Sequence, residues 1–128
     1  MLQAILVFLG GGLGALGRWS LGLAATRFWG SAWPWGTLSV NVLGGFAMGL
    51  VMGLLLKSGS MSLSHENWRM FLGTGVLGGF TTFSAFSLET ANMTEAGQWQ
   101  HALLYSGTSV VLSVLAVFAG MALCRLNG

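Results

Sequence analysis

Residues Gly78 to Phe86 read Gly-Gly-Phe-Thr-Thr-Phe-Ser-Ala-Phe, inside a run from Met70 to Leu88 without a charged side chain. Hydroxyls in so apolar a run are costly unless they meet protein partners or water. Phe80, Phe83 and Phe86 recur every three residues, a drifting stripe on an α-helix and a straight one on a 3₁₀ turn. An aromatic ring has a positive edge and a negative face. Rings turned edge-on beside hydroxyl and amide donors would suit a small anion, whereas a cation would want carboxylates that this stripe lacks. Read from the residues alone, the stripe is either an anion-lining surface or ordinary helix packing.

Further polar residues recur at helical spacing elsewhere. Tyr105, Ser109 and Ser113 stand four residues apart, with Thr108 beside them, and Thr37 and Asn41 share a face in the same way. Thr81, Thr82, Ser84 and Ser87 belong to the phenylalanine stretch. Any one of these groups could simply bond its own i−4 carbonyl or glue two helices together. For the three aligned polar stripes together, a lined pathway explains the pattern at least as well. Arg18 adds positive potential at one end of that path, unless Glu89 pairs with it.

The elements that carry these residues follow from composition. The chain has 128 residues, of which 54% are hydrophobic and 6% charged, with twenty-one glycines. That composition excludes a soluble domain. A spanning helix takes roughly 20 mostly apolar residues, and four stretches qualify, at about 2–25, 37–56, 70–91 and 102–124. The reading is therefore an all-α membrane protein with one four-helix domain over 1–128 and no soluble catalytic unit. Trp29, Trp33, Trp35, Trp68 and Trp99 fall at expected span ends, where indoles prefer to lie. The first span is expected to be an uncleaved signal anchor, because no basic region precedes it.

Gly78-Gly79 is expected to weaken the third helix at mid-span, and such breaks survive in lipid only against protein or an aqueous cavity. Gly45, Gly49 and Gly53 repeat every four residues on the second span, which lets another backbone approach closely. Gly12-Leu13-Gly14-Ala15-Leu16-Gly17 matches a dinucleotide fingerprint by spacing alone. Neither a βαβ context nor the acidic residue that contacts the ribose accompanies it.

Other chemistries are poorly served. Cys124 is the single cysteine, and His65 and His101 lie near span ends without companion ligands, so no metal cluster is expected. The net charge of +2 points to no nucleic-acid partner. One set of connections holds Lys57, Arg69 and Arg125 against Arg27 and Arg18 on the other side. Basic residues normally mark the cytoplasmic side, so this near tie predicts insertion in both orientations. A small multidrug or guanidinium antiporter would share the size and topology. It would need a carboxylate in the first span, which has none. A membrane hydrolase would need a nucleophile beside a base, and neither histidine lies within a span core.

The chain resembles the Fluc fluoride channels, also called CrcB proteins. The resemblance is carried by Gly11-Gly12 with Gly14 and Arg18-Trp19, Gly36-Thr37 with Asn41 and Gly44, and Gly78 to Phe86 with Glu89. Family members often have Thr at the place of Ala85 and Tyr at that of Trp19. The resemblance implies an antiparallel, dual-topology homodimer in the bacterial inner membrane, embedded in lipid, that lets fluoride leave passively through two pores. It matches Phe83, Phe86 and Asn41 to pore positions and sets Tyr105, Ser109 and Ser113 along the path. Thr82 and Ser84 join this expected set, with Arg18 at a vestibule. It also implies a structural Na+ at the dimer centre on backbone carbonyls of Gly78 and Thr81. A pore of this kind releases fluoride that enters as neutral hydrofluoric acid and ionises inside the cell.

Overall fold

The structure, a computed structural model, describes residues 1–59 and 62–127. Among these residues every regular element is helical, and four helical stretches are long and apolar enough to cross a membrane: Leu2–Trp29, Trp35–Lys57, Leu63–Glu95 and Trp99–Leu126. A continuous helix satisfies its backbone groups internally, as a bilayer demands. The helices run a few residues past the apolar stretches at several ends, because helical hydrogen bonding continues into the interfacial tryptophans.

The first helix, α1 (Leu2–Trp29), stops where Gly30 takes a positive φ of 78°. Pro34 precedes α2 (Trp35–Lys57), where a missing N–H and a fixed φ do no harm. The third span is composite. It runs through α3 (Leu63–Trp68), a π-helical segment (Arg69–Leu77), a turn α4 (Gly78–Phe80) and α5 (Phe83–Glu95). Ser62 caps α3 by accepting from the His65 N–H at 3.3 Å. The last helix, α6 (Trp99–Leu126), packs most extensively against α2, and α1 packs chiefly on the π-helical segment and to a lesser, equal extent on α2 and α4.

Small residues set both contacts. A Cβ on Gly49 would collide with the Val117 carbonyl oxygen, and one on Gly120 with that of Phe46, so α2 and α6 meet backbone to backbone. Gly45 and Gly53 face the same helix, through Ser113 and Cys124. Gly79 meets α1 in the same manner at Gly11.

The interruption in the third span differs from expectation. Gly78 and Gly79 are themselves helical, and the extended backbone falls next, at Thr81 (φ −78°, ψ 158°) and Thr82 (φ −150°, ψ 120°). Gly79 serves the contact with α1, and the departure from helix is imposed two residues beyond it by side chains from elsewhere.

Candidate functional site

Thr82 is held from three directions. Its N–H donates to Asn41 Oδ1 at 2.8 Å, and its carbonyl accepts from Asn41 Nδ2 at 3.0 Å. Its own hydroxyl accepts from the Ala85 N–H at 3.1 Å, capping α5. Asn41 therefore replaces, from α2, the helical partners that Thr82 gives up, since a buried backbone group without a partner is costly. Thr81 completes the anchorage: its N–H and its hydroxyl both donate to the Leu77 carbonyl, at 3.0 and 2.9 Å.

Beside this clamp lies a cavity of about 420 Å³ bounded by α2, the extended pair, α5 and α6. Asn41, Thr81, Thr82, Phe83, Phe86, Ser109 and Ser113 line it, with Gly44, Gly45, Met48 and the valines 110, 114 and 117. Six of the expected path residues, Asn41, Thr82, Phe83, Phe86, Ser109 and Ser113, thus meet at one surface. The Phe83 and Phe86 rings stand 5.6 Å apart, and Phe86 lies 5.4 Å from Tyr105. Phe83 is 77% exposed, so it forms an open rim rather than a closed wall. Ser109 is only 4% exposed, and its hydroxyl has no partner in hydrogen-bonding geometry among the described residues.

The remaining expected residues stand outside the cavity. Ser84 reaches back to Thr82, hydroxyl to hydroxyl at 3.2 Å. Tyr105 is fully buried and donates to Glu89 Oε2 at 2.6 Å. Gly78 is exposed, just before the extended pair. Arg18 donates to the Thr81 carbonyl from Nη1 at 3.5 Å. The alternative of an Arg18–Glu89 ion pair does not hold: Glu89 accepts instead from the Thr37 and Tyr105 hydroxyls, both at 2.6 Å. The ion pair found among the described residues is Arg69–Glu66 at 2.8 Å.

Glu89 is the residue that sequence reasoning undervalued, having weighed it as a partner for Arg18 and as part of the motif that carries the resemblance. An acid late in an apolar span must be hydrogen-bonded. Thr37 and Tyr105, each near the same end of its own span, were the available donors.

Four helices long and apolar enough to cross a membrane define a multi-pass membrane protein, with a cavity bounded by its second, third and last spans. Residues 5–121 match the family described as CrcB-like protein, Camphor Resistance (CrcB), and the chain belongs to that family. It is similar to proteins named fluoride-specific ion channel FluC in several bacteria. Identity is 49% with that of Caulobacter sp. (strain K31), over 98% of this chain and 96% of the relative. For Phenylobacterium zucineum it is 50%, covering 98% and 97%, and for Hyphomonas neptunium 52%, covering 94% of each.

Proposed function

We propose that this protein is a passive, fluoride-selective channel that lets cytoplasmic fluoride leave the cell and so confers fluoride resistance. One observation carries the reading: the Ser109 hydroxyl, buried without a partner on the cavity wall beside Phe86. A hydroxyl on the cavity wall can donate to a passing acceptor, and a small anion is the acceptor that ring edges and hydroxyls favour together. The relatives' printed names supply fluoride as that anion. The chemistry is that of a channel and not of an enzyme.

We further propose an antiparallel homodimer, inserted in both orientations in the bacterial inner membrane. The exposed Phe83 at the cavity rim supports it, because a second copy would close the open side and complete the wall. The extended pair Thr81–Thr82 then serves to present Phe83 and Phe86 to the path. At the dimer centre, carbonyls of Gly78 and Thr81 would hold a structural sodium ion. They fit the part: Thr82 gives its N–H to Asn41, which leaves the exposed Gly78 carbonyl without its helical donor, and Arg18 approaches Thr81's oxygen only at 3.5 Å. Oxygen donors without carboxylates suit a hard cation of low charge. Bound there, the ion would tie two copies together and would take no part in conduction.

Efflux from liposomes loaded with fluoride or with chloride tests the function. Rapid loss of fluoride with chloride retained is expected. Retention of fluoride, or equal loss of both anions, would overturn the reading.

A further inference from the structure

The C-terminal ends of α2 and α6 enclose a further cavity, of about 370 Å³. Gly53, Leu56 and Lys57 line it from α2, and Met121, Cys124 and Arg125 line it from α6. Each trio has the spacing i, i+3, i+4, so each makes one stripe on its helix. The two stripes run the same way: the earlier residues are small or apolar, and the outermost on each helix is a cation. Both cations fall in the last turn of a spanning helix, at the depth where lipid headgroups begin. None of the chain's three carboxylate side chains lines the cavity. Glu66 is held by Arg69, Glu89 accepts from Tyr105 near the start of α6, and Glu95 ends α5 just ahead of that start. Lys57 donates to the Asn127 carbonyl at 3.2 Å, which leaves two further ammonium protons. Arg125 has no hydrogen-bond or ion-pair partner among the described residues.

Cations at helix ends have an ordinary role, since each helix C-terminus carries roughly half a negative charge. Two such ends offset about one of the two positive charges, and a surplus of about one remains. A free anion in water would leave the apolar walls unused. A phospholipid uses both parts: its phosphate meets the two cations while the first stretch of an acyl chain lies along Leu56 and Met121. Arginine forks onto phosphate oxygens in a bidentate manner, and lysine adds a point charge. An amine-bearing headgroup would bring a like charge to this pair and find no carboxylate side chain to receive it. We propose that this cavity binds an anionic glycerophospholipid, with its phosphate held by Lys57 and Arg125. The site shares no lining residue with the Ser109 cavity and does not depend on which ion that cavity passes.

Native mass spectrometry of the purified full-length protein in a maltoside detergent tests this, with dioleoyl phosphatidylglycerol and dioleoyl phosphatidylcholine titrated in turn. The phosphatidylglycerol should bind the more tightly. Lys57→Gln and Arg125→Gln should each weaken it about fivefold, the worth of one basic residue against anionic lipid, and the double variant about 25-fold. Phosphatidylcholine binding should not change in any of them. Arg125→Lys keeps the charge and should retain most of the binding. Leu56→Gln keeps both cations but removes an apolar wall and should weaken it, which covers a charge variant that fails to fold. Arg27→Gln, at the end of α1 and outside the cavity, should leave binding unchanged. Glycerol 3-phosphate at the concentration of the lipid should not displace it. Equal affinity for the two lipids, undiminished phosphatidylglycerol binding in the double variant, or displacement by glycerol 3-phosphate would overturn the site.

Discussion

Replacing Ser109 by alanine separates a pore hydroxyl from a packing hydroxyl by the sign of its effects. This hydroxyl is 4% exposed and has no partner in hydrogen-bonding geometry among the described residues. A buried polar group in that state costs about 1–3 kcal/mol. Ser109→Ala removes the cost, so thermal stability in detergent should hold or rise. If the same hydroxyl donates to a passing anion, it supplies a charge-assisted bond of about 1.5–3 kcal/mol. Its loss would lower the anion's occupancy of that position by roughly 10- to 150-fold. With no protein donor to replace the lost hydration, fluoride efflux per protein should fall by about tenfold or more. Ser109→Thr keeps the hydroxyl and should recover most of the flux. Two results refute the reasoning: unchanged efflux in the alanine variant, or a lowered melting temperature, which would mean that the hydroxyl is bonded in the folded chain.

Phe83→Ile and Phe86→Ile should nearly abolish fluoride flux in protein that still purifies as a dimer; as packing residues they would cost about 1–3 kcal/mol of stability and leave transport intact. Gly49→Ala, which drives a methyl into the Val117 carbonyl, should destabilise by about 1–3 kcal/mol. Gly12→Ala, with open space around its Cβ, should be neutral or gain up to about 1 kcal/mol from helix propensity, and equal melting temperatures would show that α2 and α6 tolerate separation. Two or three lysines added between residues 57 and 69 should fix one orientation and silence transport unless an oppositely biased copy is co-expressed; full activity of the fixed form alone would contradict dual topology. Replacing all sodium by N-methylglucamine should slow fluoride efflux and loosen the dimer, and unchanged flux and dimer stability would remove the ion from the account.

The spans were legible because a bilayer requires long uninterrupted apolar runs, a property of local sequence. The glycine stripe on α2 was legible for a related reason: four-residue spacing places Gly45, Gly49 and Gly53 on one face whatever lies opposite. What could not be read was long-range pairing. Nothing near Thr82 announces that Asn41, forty-one residues earlier, takes both its backbone groups. Hence the weak point was placed at Gly78-Gly79, where local propensity is lowest, while the chain departs from helix at Thr81. The pairing of Glu89 with Thr37 and Tyr105 joins three spans and was hidden for the same reason. The wide turns of Arg69–Leu77 leave no mark in the residue periodicity, and packing against Gly10 through Gly75 is the feature that accompanies them.

The anchorage of Thr81 and Thr82 bears on how selectivity could arise in so small a protein. Extended residues inside a span lose helical bonds, and a loosely held loop there would let ring positions drift. Here Asn41 fixes both backbone groups of Thr82, Leu77 takes both donors of Thr81, and Thr82 caps the helix that carries Phe83 and Phe86. The rings therefore project from the first turn of a capped helix, not from a mobile segment. Preorganised donors and dipoles discriminate well because they need not rearrange when the ion arrives. Asn41, expected to be a donor to the ion, contributes more by fixing where the other groups stand. Of its two amide protons one is committed to the Thr82 carbonyl, which leaves one for the cavity. Its position on the wall lets a single side chain hold the extended backbone and still border the cavity.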